Sequence, residues 1–254
     1  MMLGYVRAAI ALAAFAACTM AQAQAPPPFL AAAEHLVDDL QQSELTSESW
    51  PNVYGTDPSY IDWAGDRSSA RTECSSFLTL LWQHSYGWTP ATFHEWTGHS
   101  SPEAAVYHDA IAQQNDFIEL KNVDRIQPGD IIAIVYYPEY QSPTGHAMIV
   151  EHAPQAHSSN PLVDGTLQWT IDVIDSTSSY HGSTDTRVAH PGGIGRGVFR
   201  LYTDVGGAFA GYTWSLLGTS LASYYPQATS TNSGHHLVVG RLVKSIFASG
   251  FETL

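Results

Sequence analysis

An α+β fold is the class that the order of patterns along this chain predicts. Up to about residue 115, apolar positions recur at helical spacing. From residue 126 onward, short apolar runs alternate with Gly, Ser, Asn and Pro clusters. Helices first and strands second is the order of helices packed on an antiparallel sheet, whereas a parallel α/β sheet would interleave the two.

The N-terminal "MMLGYVRAAIALAAFAACTMAQAQAPPP" holds Arg7, an apolar run from Ala8 to Ala17 and an Ala-Gln-Ala site before three prolines. That is the pattern of a secretory signal peptide cleaved near Ala23 or Ala25, which implies export. "FAAC", Phe15 to Cys18, is a weaker likeness of a lipoprotein signal, with Phe15 where leucine is expected. The organisation expected is a signal peptide over 1–25, an N-terminal helix and turn-rich segment over 26–66, a main domain over 67–243 and a C-terminal tail over 244–254.

In "FLAAAEHLVDDLQQSEL", Leu30, Leu36 and Leu40 stand at near-helical spacing and predict an amphipathic helix over 29–42. The following "TSESWPNVYGTDPSYIDWAGDRSS" is punctuated by Pro, Gly, Asn and Asp and reads as turns. A helix is expected from Cys74 to His84 and, after "YGWTP", a second helical patch from Pro102 to Asn115. A Pro-Gly turn in "IQPGDIIAIVYYP" feeds the first strand. "GHAMIVEH", "LQWTIDVIDST", "GVFRLYTD", "FAGYTWSLL" and "HHLVVGRLV" supply the others.

The composition is 44% hydrophobic, enough to build a core, and 10 Lys and Arg stand against 24 Asp and Glu for a formal charge of -14. Repulsion opposes a phosphate backbone or an anionic membrane, so nucleic acid is excluded as a partner. No run approaches the roughly 18–20 apolar residues that a membrane-spanning helix needs, so membrane insertion is not expected.

Once the signal is removed, Cys74 is the single cysteine left in an exported chain. A thiol without a partner in an oxidising compartment is either buried or retained for its reactivity. Cys74 stands where polar "RSSARTE" gives way to helical "SSFLTLLW". A helix N-terminus stabilises a thiolate through its free N–H groups and its dipole. Among the 12 histidines, His146 opens a strand directly after Gly145, at the rim of the sheet. If "HAMIVE" and "WTIDVID" are antiparallel neighbours, the start of one lies beside the end of the other and His146 meets Asp175. Asp175 shares a face with Ile171 and Val173, and Asp172 points the other way, so Asp175 is the better orienting group.

"ECSSFL", "IQPGDIIAI", "GHAMIV" and a strand ending in a polar residue, in that order, resemble the NlpC-type cell-wall cysteine peptidases and the related CHAP-type amidases. The resemblance covers roughly residues 50 to 180 and implies a papain-like fold, with Cys74 as nucleophile, His146 as base and Asp175 as orienter. It further implies hydrolysis of an amide in a peptidoglycan peptide, with Tyr54, or in its place Tyr60, assisting the oxyanion, and no cofactor. Glu73 stands where the family usually has Asp. The chemistry is equally compatible with transfer of the acyl group to an amine. A protein that keeps the fold as a non-catalytic binder would have no need of a reactive thiol.

Other motifs carry less. In "FHEWTGH", His94 and His99 are five apart and fall about 140° around a helix axis, so they do not form a zinc pair. "PGGIGRG" lacks dinucleotide-binding spacing and reads as a turn. Trp50, Tyr54, Tyr60, Trp63, Trp82, Trp88 and Trp96 are either core or the lining of a groove.

Overall fold

The computed structural model describes residues 25–47, 49–138, 142–187 and 192–243. The signal segment up to residue 24, with Cys18, and the tail 244–254 lie outside the described residues.

Helix α1 (Pro28–Thr46) starts on proline, whose missing N–H is unneeded in a first turn. It buries Phe29, Leu30, Ala33, Leu36, Val37 and Leu40. It outruns the predicted 29–42 because its last turn is held by polar groups that apolar periodicity does not register. Ser43 is buried there, and the Thr46 hydroxyl donates to its carbonyl.

The turn-rich segment contains a small sheet that the sequence pattern did not reveal. Strands β1 (Asn52–Tyr54), β2 (Tyr60–Asp62) and β3 (Ser69–Thr72) lie in the order β1-β3-β2, with β1 and β3 parallel. Strands this short show no readable alternation.

Helix α2 (Cys74–Tyr86) buries Cys74, Phe77, Leu78, Leu81 and Trp82, and Gly87 in the left-handed region stops it. The break at "YGWTP" is also a fresh start. Pro90 opens an additional helix, α3 (Pro90–Thr97), and the Thr89 side chain accepts the Thr92 N–H. Helix α4 (Ala104–Ala112) is shorter than the 102–115 expected from its pattern, because Asn115 instead exchanges hydrogen bonds with Trp96. His94 lies on α3 and His99 just past its end, both exposed.

The strand half runs β4 (Phe117–Leu120), β5 (Ile131–Tyr137), β6 (Gly145–Val150), β7 (Gln155–His157), β8 (Thr166–Thr177), β9 (Gly193–Asp204), β10 (Phe209–Thr213), β11 (Tyr224–Pro226) and β12 (Gly234–Leu242). All pair antiparallel, in the order β11-β10-β9-β8-β6-β5-β12-β4 with β7 on β8, so the fold is mixed α+β. "GGIGRG" is therefore mostly strand and not the turn it resembles. Its glycines Gly195 and Gly197 lie under a packed segment, where a Cβ would come within 2.5–2.6 Å of Thr186, Asp185 or His181.

The sheet curls until its β11 edge reaches β12. Beyond β11, Gln227 bridges to His235 of β12 and bonds both the N–H and the carbonyl of Leu237. Strand alternation then makes two cores. Ala133, Ala147, Ile149, Ile174 and Ile194 face outward onto α1, α2 and the aromatic cluster of Trp82, Trp88, Phe93, Trp96 and Tyr107. Ile132, Ile134, Met148, Val150, Ile171, Val173, Phe199 and Leu201 fill the inside of the curl. Of the aromatic residues open to either reading, Trp82, Trp88 and Trp96 are core, while Trp50 and Tyr60 are exposed.

At Gly145 the backbones of β5 and β6 approach so closely that a Cβ would lie 2.0 Å from the Ile134 carbonyl oxygen. Gly145→Ala should cost about 1–3 kcal/mol. In calorimetry that appears as a melting temperature lower by about 3–10 °C; an unchanged melting temperature would mean the strands yield freely.

Candidate active site

The N-terminus of α2 is placed by two side chains on other elements. The Ser176 hydroxyl donates to the Thr72 carbonyl at 2.7 Å, which ties β3, two residues before Cys74, to β8, one residue after Asp175. Asn52 bonds the N–H and the carbonyl of Ile194 at 2.8 and 2.7 Å and fixes β1 to β9 in the same way. Ser76 Oγ then accepts the Glu73 N–H at 2.8 Å and closes the first turn of α2. Cys74, 5% exposed, therefore sits at a rigid helix start whose first N–H groups have no intrahelical acceptor.

His146 bonds Asp175 Oδ2 through Nε2 at 2.6 Å, and the charge of Cys74 bears on the same ring. That leaves Nδ1 for the thiol. The pairing is diagonal: the β6–β8 ladder sets Ile149 against Ile174 and Val150 against Val173, a register that puts Asp175 across from Met148 and not from His146. The imidazole reaches back along the strand to close that gap. Asp172 points to the other face, half-exposed beside His152 Nδ1 at 3.3 Å.

Burial alone would lower the His146 pKa, but the charge of Cys74 and the bond to Asp175 hold it up at about 9. Asp175 is fully buried, which alone would raise it; Arg187 and then His181 keep it well below the usual carboxylate range. Burial, followed by the charge of Cys74, raises Tyr54, which lines clefts on both sides of the site. Tyr60, the substitute for it, lies 39% exposed on β2.

His181, Asp185 and Arg187 are the site residues that sequence reasoning missed. Arg187 Nη1 donates to Asp175 Oδ1 at 2.7 Å, while its Nε and Nη2 hold Asp185 at 2.8 and 2.7 Å. His181 Nε2 lies 3.0 Å from Asp175 Oδ2, and its Nδ1 lies 2.7 Å from the Trp214 carbonyl. Both ring nitrogens face acceptors, so both must carry protons for the two bonds to form. Trp214 stacks on His181 at 4.3 Å and packs its edge against His146 at 4.7 Å. The readable sign was Gly195 and Gly197, whose missing side chains let residues 181–187 lie directly on β9.

His146, Asp175 and His181 are close enough to share an ion. Their donor atoms are 2.6 and 3.0 Å apart, below the ~3.3 Å edge that zinc–nitrogen bonds of about 2.0–2.1 Å imply for a tetrahedral site. Arg187 on the other carboxylate oxygen also opposes a cation. The group fits hydrogen bonding better than metal ligation. Among the described residues, no helix is long and apolar enough to cross a membrane.

The chain is similar to Uncharacterized protein R653 of Acanthamoeba polyphaga mimivirus, 36% identical over 182 residues that make up 67% of this chain and 77% of the relative. No family model and no solved structure matches it.

Replacing Arg187 by Met leaves two buried carboxylates without their shared cation and should destabilise the protein by about 3–5 kcal/mol in urea denaturation. His146 carries a separate signature. Its pKa is raised in the folded chain, so its contribution to stability is complete below about pH 6.5 and is lost as pH rises through about 9. The melting temperature of the wild type should fall across that window more than that of His146→Gln.

Proposed function

This chain belongs to the family of the mimivirus protein R653, and we propose that it is an exported cysteine hydrolase on a papain-like fold that cleaves amide bonds of the kind found in peptidoglycan peptides. The observation that carries the reading is His146, buried, bonded to Asp175 and raised in pKa by the charge of the equally buried Cys74. The N-terminal leader pattern supports export, and the resemblance of the "ECSSFL" and "GHAMIV" motifs supports the substrate class.

In this mechanism His146 takes the Cys74 proton on Nδ1, and Asp175, bonded to Nε2, keeps the ring oriented and stabilises the imidazolium. The thiolate attacks the amide carbonyl carbon. The negative charge that develops on oxygen is met by first-turn N–H groups of α2 and by the Tyr54 hydroxyl, which burial keeps protonated. Collapse breaks the C–N bond, and His146 returns its proton to the leaving nitrogen. Water, deprotonated by His146, then cleaves the thioester and frees Cys74.

Asp175 is acceptor to three donors that are themselves cations or become so, and this makes it unlike an ordinary strand-end aspartate. Such a carboxylate does not take up the imidazole proton. It holds the ring where the thiol needs it.

The test starts with the thiol. At pH 6, Cys74 should react with iodoacetamide faster than a free cysteine by on the order of tenfold or more, and His146→Ala should erase the difference. An unreactive Cys74 would leave it a packing residue and remove the hydrolase reading. Where peptidoglycan fragments are turned over, Cys74→Ala should abolish release, and Asp175→Asn should lower kcat by about 10²–10⁴-fold.

A further inference from the structure

Acyl transfer to Cys74 has a direction in space, and two clefts flank the site. The acyl half of a substrate becomes bonded to Sγ, and the leaving nitrogen takes its proton from His146. The leaving half therefore lies on the His146 side, in a cleft of about 410 Å³ that His146 lines with Tyr136, Tyr212, Trp214, Tyr225 and His235. The cleft on the Cys74 side, of about 430 Å³, contains Glu73 and Glu103.

The two clefts differ in chemistry. Among the described residues lining the His146 side there is no Asp, Glu, Lys, Arg, Asn or Gln. Its wall is a prebuilt stack of rings. His235 stacks with Tyr136 at 4.3 Å and with Tyr225 at 4.5 Å, and Tyr225 stacks with Tyr212 at 5.1 Å. The Tyr212 hydroxyl and His235 Nδ1 are 2.6 Å apart, and burial lowers the His235 pKa, so the wall carries no charge at neutral pH. Rings held in this way lose little freedom when a ligand arrives.

A charged leaving group entering here would give up hydration and meet only His146, which is already paired with Asp175. A sugar ring would bring a circle of hydroxyls that need amide or carboxylate side chains in the ring plane, and the lining supplies neither, only hydroxyls from Thr177, Ser178, Ser179 and the tyrosines. An aromatic ring needs only faces and edges at centroid distances of about 4.5–7 Å, which this wall presents. Resting on the cysteine-hydrolase reading but not on its peptidoglycan substrate class, we propose that this cleft is the leaving-group subsite and favours amides whose leaving half bears an uncharged aromatic ring next to the scissile nitrogen.

Binding to the full chain carrying Cys74→Ala tests the subsite without turnover. N-acetyl-phenylalanine amide should bind more tightly than N-acetyl-lysine amide, N-acetyl-glutamate amide or N-acetylglucosamine by on the order of tenfold, read from tryptophan fluorescence and chemical shifts. Tyr225→Ala should remove that preference. Tyr225 is 40% exposed, so the variant is expected to fold, and circular dichroism checks that it does. Tyr225→Lys should turn the preference toward the glutamate compound. Equal binding of all four ligands, or a preference indifferent to Tyr225, overturns the inference while a reactive wild-type Cys74 leaves the hydrolase reading intact. Ring-selective binding beside an unreactive Cys74 overturns both the hydrolase reading and the leaving-group role, since the cleft would then serve only to bind.

Discussion

The site is organised by one buried carboxylate. Asp175 is fully buried on β8 and accepts from His146, His181 and Arg187, with Asp185 balancing the guanidinium from behind. Asp175 and Asp185 are matched by the Arg187 guanidinium between them and by the two imidazoles on Asp175, the pairing that burying such groups together requires. A lone aspartate in that position would neutralise itself by taking up a proton. The bond to His146 therefore depends on residues that touch neither the thiol nor the clefts.

Two features of the fold bring that carboxylate to Cys74. The curl of the sheet points the inner faces of β6 and β8 toward a common mouth. The small sheet β1–β3, pinned by Ser176 and Asn52, delivers the start of α2 to the same place. Distances between the groups are thus set by strand registers and by the Ser176 and Asn52 bonds to backbone groups, and the His146 side chain closes the diagonal that remains.

The distribution of glycines follows from the same packing. Gly145 allows β5 and β6 to close up just before His146. Gly195 and Gly197 leave room for His181, Asp185 and Arg187 to lie flat on β9. In the linear chain these glycines resemble turn punctuation, because a missing side chain reads the same whether the space goes to a bend or to a neighbour.

The features legible in the linear chain are those that local physics decides. The helices before the strands, the start of α2 at Cys74, the six main strand segments and the faces carrying His146 and Asp175 all follow from periodicity and turn residues over windows of a few amino acids. Tertiary structure alone decided the rest. The strands β1 to β3 are too short to show a pattern, the diagonal reach of His146 depends on a register between distant segments, and the ring wall of Tyr136, Tyr212, Tyr225 and His235 gathers residues from four strands. The hold of His181 and Arg187 on Asp175 arises only because the burial of one charge requires others to be buried with it, a condition that no local window of the sequence expresses.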